Sequence, residues 1–312
     1  MRTGSVSIEG TRRREPIRLR LGFAGDDFGY AISFGLPPKS DSAFSRDPEI
    51  KRECVWAGPS YRLASVLVDR SGPLIRTRAG RDWEVVTQNA STFESIFTEV
   101  RDAAKAPEVF TLRDSIRSWR FYDHFRTDVT APARQPQLGT RTPVLHHDDH
   151  DLAAAIQTIL EIGDAAALHE AIEDAFPGCR ASVGWSEDGR FILQFQQQGL
   201  LRPLTAAELS DGTLRYLLWV AALLSPRPPA LMILNEPETS LHPDLLPAFA
   251  RLMTSASENT QVWIVSHSTR LVAALEKSPD CESIQLDLGA TRVVGQRLID
   301  QPAWHWPDHE GH

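Results

Sequence analysis

The sequence predicts an α/β fold with a parallel core sheet, preceded by an antiparallel β meander and a helical middle segment. Three observations carry this. Two short apolar runs, 231–234 and 262–265, each end abruptly on polar residues and are separated by one helical stretch, the pattern of a βαβ unit with its right-handed crossover. From residue 205 onward the pattern alternates helix, strand, helix, strand, helix, which argues for parallel pairing. From 16 to about 88, short alternating runs are punctuated by turn residues, which argues for antiparallel hairpins.

Composition limits the function classes. With 42% hydrophobic and 24% charged residues, the 312-residue chain is ordinary for a globular protein, large enough for one big domain or two smaller ones. No apolar window is long enough to span a bilayer, and the first twenty residues lack the apolar core of a signal peptide, so no membrane partner is expected. Cys54, Cys179 and Cys281 fit no CxxC spacing and read as free thiols of a reducing, cytoplasmic compartment. A net charge of -8 argues against a molecule that attracts nucleic acid as a whole. Arg12, Arg13 and Arg14 read as part of a solvated, flexible N-terminus over 1–15.

The elements follow in order. In "PIRLRLGFAGDDFGYAISF", Leu19, Leu21 and Phe23 alternate with Arg18, Arg20 and Gly22, and the alternation resumes at Tyr30, Ile32 and Phe34 after "AGDD"; this opens a β lobe over 16–90. A helical segment over 91–180 comes next. Phe93, Ile96, Phe97 and Val100 fit one helix face, and Phe110, Leu112 and Ile116 fit a second. The Pro-, Thr- and Asp-rich stretch 127–150 is a long loop, of a length that is usually functional or mobile. Its end, "HHDDHD" from His146 to Asp151, has candidate metal ligands, but packed side by side rather than spaced along one face, and reads as a solvated loop. Helices over 151–162 and 165–175 meet at Gly163, and "RFILQFQQ" is a strand. An α/β lobe fills 181–300. The tail 301–312 holds His305, His309 and His312 on a frayed end, with Trp304 and Trp306 docking it.

Chemistry concentrates in three motifs of the last third. In "ELSDGTLRYLLWVAALL", Ser210, Asp211, Gly212 and Thr213 open an apolar helix. A hydroxyl and unpaired backbone N–H groups at a helix N-terminus can hold an anion, though taken alone the motif reads first as a plain N-cap. In "LMILNEPETSLHP" a buried strand ends on Asn235 and Glu236, at the carboxyl end of the sheet, where open α/β folds bind ligands. A carboxylate there can orient or deprotonate a water that attacks a phosphate, or hold Mg²⁺ through water. In "VWIVSHSTRLVAAL" a second strand ends on Ser266 and His267, and the His can reach a terminal phosphate.

In that order the three motifs resemble ATP-binding-cassette ATPase heads of the RecF/SMC type, most strongly over 204–276 and more loosely through "WRFYDHFRTD" and "DLAAAIQTI". The resemblance implies an ABC-ATPase-head-like P-loop NTPase fold, with ATP and Mg²⁺ as ligands. It implies that Ser210, Asp211, Gly212 and Thr213 form the signature loop that meets the γ-phosphate held by an opposite subunit. It makes Glu236 the catalytic glutamate at the end of the Walker B strand and His267 the switch histidine. Ser240, Leu241 and His242 match the D-loop at the dimer interface. Partners implied are a second copy or a related subunit across the nucleotide, and DNA. Two features depart from the family pattern. Asn235 stands where the Walker B aspartate is expected, and an amide lacks the charge that holds Mg²⁺ tightly. The four lysines, Lys39, Lys51, Lys105 and Lys277, follow Pro, Ile, Ala and Glu, so none completes the Gly-x-x-x-x-Gly-Lys-Ser/Thr of a Walker A loop. The expectation is a chain whose first strand, P-loop and first helix are missing.

Three functions fit these residues. The first is an ATPase head whose nucleotide-driven dimerisation serves DNA repair or genome maintenance. The second is a non-catalytic cassette module that lends its signature loop to a full-length partner. The third is an unrelated Mg²⁺-dependent phosphohydrolase built on Glu236, Glu238 and the histidines; it needs a further metal-spaced carboxylate set, which the sequence lacks.

Overall fold

The structure is a computed structural model that describes residues 18–38, 41–286 and 294. The expectations for Arg12–Arg14 and the 1–15 end, and for Trp304, Trp306, His305, His309 and His312 of the tail, lie outside the described residues. The described residues divide into two compact units, 18–117 and 118–294.

The first unit is the antiparallel meander. Strands β1 (Arg18–Ala24), β2 (Phe28–Gly35), β3 (Glu49–Ala57), β4 (Val66–Ser71), β5 (Leu74–Ala79) and β6 (Asp82–Thr87) pair in sequence order into one six-stranded sheet. Alternation puts Tyr30, Ile32, Val55, Val68 and Ile75 into one core with Val109 and Leu112 of helix α2 (Pro107–Ser118). The helix expected over 91–100 is a correction. Only Ile96–Glu99 forms a turn, α1, capped by the Ser95 hydroxyl, and Phe93 is 64% exposed rather than on a buried face. The chain is drawn elsewhere by a fully buried ion pair. Glu53 accepts from Arg70 at 2.9 Å with both side chains shut off from solvent. Its two carboxylate oxygens also accept from the Tyr30 hydroxyl, the Ser95 hydroxyl and the Ile96 N–H. Arg70 in turn donates to the carbonyls of Gly72, Ser91 and Glu94. These bonds fix 91–96 as an irregular strap across the sheet. The physical reason is that buried charges must be paired and hydrogen-bonded.

The second unit holds the candidate site. Strand β7 (Arg120–Tyr122) leads into the long loop, then α3 (Leu152–Ile162) and α4 (Ala165–Ala175). Strands β8 (Arg180–Trp185), β9 (Phe191–Gln196) and β10 (Leu204–Thr205) make a small antiparallel sheet. Helix α5 (Asp211–Leu223), β11 (Leu231–Asn235), α6 (Leu246–Ala256), β12 (Gln261–Val265) and α7 (Thr269–Leu275) follow. The core sheet is parallel, in the order β12-β11-β7, so the two apolar runs are adjacent and parallel as expected. Helix α5 is buried from Leu214 to Leu223, as an all-round apolar helix must be.

Register assigns the two faces of the core sheet. Tyr122, Leu234 and Ile264 form one cross-strand row, packed in the main core with Trp219 and Phe249. Phe121, Ile233 and Trp263 form the next row, on the opposite face, and Phe121 and Trp263 are 58% and 59% exposed. Among the described residues no strand pairs with the outer edge of β12. Parallel sheets normally have both faces covered, and among the described residues this one leaves Phe121 and Trp263 exposed, with Ile233 half-buried between them, beside an unpaired strand edge.

Candidate functional site

The tips of the three parallel strands carry the polar residues. Asn235 ends β11, and its Nδ2 donates to Oδ1 of Asp123, the residue just after β7, at 2.6 Å. Asp123 thus places a carboxylate beside the Asn235 amide. Glu236 follows in the left-handed region at φ 45, held by its own N–H donating to the Val265 carbonyl at 2.7 Å. A non-glycine residue held in that region marks a constrained position. The conformation turns the Glu236 carboxylate toward His267, with 3.4 Å between Oε1 and Nε2 and both side chains half or more exposed. Glu236 and His267 therefore share one edge of the sheet, as the strand pattern required.

Glu238 does something different from what its place in the motif suggested. Its Oε1 accepts from the Ser266 hydroxyl at 2.6 Å and from the His267 and Ser268 N–H groups at 3.1 Å each, while Oε2 is buried without a hydrogen-bond partner. It is an anchor for the segment that carries His267, and it is not available as a base. Replacing it with Ala is expected to cost about 0.5–1.5 kcal/mol, because the donors it holds are only partly buried or exposed and water can partly replace it. It should also accelerate amide exchange at His267 and Ser268 more than at Leu234, measurable by hydrogen exchange with residue resolution. Equal protection at all three would remove the anchoring role.

The second cluster surrounds the start of α5. Ser210 is its N-cap: the Oγ accepts from the Thr213 N–H at 3.2 Å and shares a 2.8 Å hydrogen bond with the Thr213 hydroxyl. Gly212 sits against the loop that holds Ser240. A Cβ on it would lie 3.1 Å from the Ser240 carbonyl oxygen, so a larger residue there has to push the two loops apart. Ser240 is itself left-handed at φ 65, and His242 caps the short turn after it by accepting from the Asp244 N–H. Ser210, Gly212, Thr213, Ser240 and His242 all line one open groove of about 560 Å³.

Two buried arginines brace this cluster. Arg134 donates to the carbonyls of Ala206, Ala207 and Leu209 and to the Asp211 carboxylate at 2.7 Å, so Asp211 is spent on the loop's own scaffold. Arg215 donates to the Thr239 and Phe125 carbonyls at 3.0 Å each, tying α5 to the loop behind Glu236; burial holds its guanidinium below its ordinary pKa. Gln137, in the long loop before α3, is a core residue: it bridges Phe191 through its backbone and accepts from the Ala153 N–H through its side chain. Apart from Asp211, the site residues expected from the sequence fall into two groups. Asn235, Glu236 and His267 gather at the sheet tip with Asp123, and Ser210, Gly212, Thr213, Ser240 and His242 gather in the groove.

The class that the fold defines is the α/β AAA domain. Within it, the chain belongs to the family described as AAA domain, putative AbiEii toxin, Type IV TA system, whose model matches residues 68–273, well over half its length. Solved structures similar to the chain are SMC heads. The Smc head domain with a coiled coil and joint from Pyrococcus yayanosii is 16% identical, with a TM-score of 0.33, over 38% of this chain and 24% of that one. The SMC head domain from Thermotoga maritima is 14% identical, with a TM-score of 0.34, over 81% of this chain and 71% of that one. The Smc head domain from Pyrococcus furiosus, bound to the C-terminal domain of ScpA, is 9% identical, with a TM-score of 0.37, over 80% and 72%. None of the curated proteins matches the chain. No helix among the described residues is long and apolar enough to cross a membrane.

Proposed function

We propose that the chain is the ATP-hydrolysing head of a RecF/SMC-like ATPase, working as one of two heads that close on ATP, in the service of DNA repair or genome maintenance. The observation that carries the proposal is the Glu236–His267 pair at the carboxyl tips of adjacent parallel strands. Glu236 is the base that takes the proton of the attacking water, and His267 bonds the outer phosphate. The oxygen donors of Asp123, Asn235 and Glu236 suit a hard cation, and they are the residues that would hold Mg²⁺ through water. When bound, Mg²⁺ neutralises charge on the outer phosphates. Ser210, Gly212, Thr213, Ser240 and His242, in an outward-open groove, are read as the surface offered to a nucleotide on the opposite head.

These 312 residues contain no Gly-Lys-Ser or Gly-Lys-Thr step, and backbone N–H groups of a P-loop with its lysine supply most of the hold on a triphosphate. Among the described residues the outer edge of β12 is unpaired and Phe121 and Trp263 beside it are exposed, and a strand–loop–helix unit bearing a P-loop at this place would complete both sheet and site. A second reading is favoured by the same absence: a non-catalytic module that lends its Ser210 loop to a full-length relative.

ATP turnover separates them. The purified chain alone is expected to turn over little or no ATP, since positioning is lost with the cradle. Mixed with a relative that has an intact P-loop, it should raise turnover, and Ser210→Arg should abolish the increase. Robust turnover by the chain alone would reveal a phosphate-binding loop among these residues. An active mixture indifferent to Ser210→Arg would remove the donor role.

A further inference from the structure

The loop 146–151, which its sequence marked as merely solvated, brings its side chains together. His146, Asp148 and His150 each place one potential ligand atom within 4.8 Å of the others, the one such triad among the described residues. His150 Nδ1 and Asp148 Oδ1 are 2.5 Å apart, and the two imidazole rings lie with centroids 5.0 Å apart. A second observation comes from beneath. The side chain of Asp151 is only 8% exposed, its Oδ2 has no hydrogen-bond partner, and that oxygen lies 3.9 Å from His146 Nε2. A buried carboxylate oxygen normally finds a donor; this one faces an imidazole nitrogen of the triad.

The backbone behind the triad is held. The Leu145 carbonyl accepts from the Tyr122 hydroxyl at 2.8 Å, and Leu145 and Leu152, on either side of the loop, are fully buried. Asp151 Oδ1 accepts from the His146 N–H, and the wholly buried Asp149 accepts from the Arg126 N–H through Oδ2. The ligand-bearing side chains are exposed on this fixed frame, so small rotations suffice to bring their atoms to the roughly 3.4 Å separations of a tetrahedral zinc shell.

We infer that His146, Asp148 and His150, with Asp151 beneath them, form a binding site for a divalent transition cation of the zinc type. Two imidazoles with two carboxylates suit zinc better than magnesium, which takes oxygen ligands, and better than copper(I), which takes thiolates. The cation clips the end of the long loop to the N-terminus of α3. This site is separate from the oxygen donors at the sheet tip and independent of the ATPase reading.

The test is equilibrium dialysis of the full chain, stripped with a chelator, against Zn²⁺, with the metal quantified in each chamber. One equivalent per chain is expected. The double variant His146→Ala/His150→Ala should lose it, and so should Asp148→Ala, a second route that leaves both histidines in place. Asp151→Asn should weaken binding about 10- to 100-fold. His147→Ala, exposed in the same loop but outside the triad, should retain the full equivalent. The Co²⁺-loaded chain should show the visible absorption of a tetrahedral site, and the double variant should not. Absence of saturable uptake, uptake unchanged in the double variant, or loss in His147→Ala would each overturn the assignment.

Discussion

Glu236→Gln is expected to lower ATP turnover about a hundredfold or more while leaving nucleotide binding intact, measured in the assembly that pairs this chain with a P-loop-bearing partner. The amide keeps the size of the side chain and can still meet His267, which lies 3.4 Å from the carboxylate. It cannot take a proton. Binding energy drawn from the cradle and from the groove is untouched, so the closed, ATP-loaded state should accumulate and be visible as a stable dimer by size-exclusion chromatography. Unchanged turnover would move the base elsewhere. Glu238 would not be the replacement, because its Oε1 is already committed to three donors from 266–268. Asp123 would be the next residue to test.

The largest stability effect should come from the first unit. Arg70→Met leaves the Glu53 carboxylate fully buried with only the Tyr30 and Ser95 hydroxyls and the Ile96 N–H as partners. Breaking a buried pair in this way costs about 3–5 kcal/mol. Against a typical total of about 5–15 kcal/mol, that should move the unfolding midpoint strongly in urea. The double variant Glu53→Gln/Arg70→Met should recover much of the loss, because it removes the uncompensated charge. A single variant that loses less than about 1 kcal/mol would mean that the Glu53–Arg70 pair is not what holds this unit together.

Parts of this molecule could be read directly from residues. The runs ending on Asn235 and Val265 are strongly apolar and bounded by polar residues, so their parallel pairing and the shared edge of Glu236 and His267 followed from local pattern alone. Strand β7 did not. It is three residues long, begins with an arginine and exposes Phe121, and only its pairing with β11 makes it a strand. Asp123 was missed with it, although an acidic residue straight after Phe-Tyr follows the same rule as Glu236 after the 231–235 strand. Long-range anchors were equally silent. Nothing near Arg134 announces that it will hold Asp211, 77 residues away, and nothing in the motif says that Glu238 serves the neighbouring strand. The over-read helix at 91–100 fails for the same reason: the spacing of Phe93 and Ile96 was helical, but a charge buried at Glu53 decided the path of the chain.

The left-handed backbone at Glu236 also restricts how this position can change over generations of mutation. At φ 45 a β-branched side chain is strongly disfavoured, whereas Gly, Asn and Asp are tolerated. Codon by codon, a glutamate can reach Asp, Gly, Ala, Val, Gln or Lys by one base change. Of these, the backbone admits Gly and Asp most readily and resists Val most. On the proposed role of Glu236, a lineage that abandons hydrolysis while keeping the fold should therefore drift through glycine or aspartate here, leaving the loop's shape as a record of the side chain that once stood there.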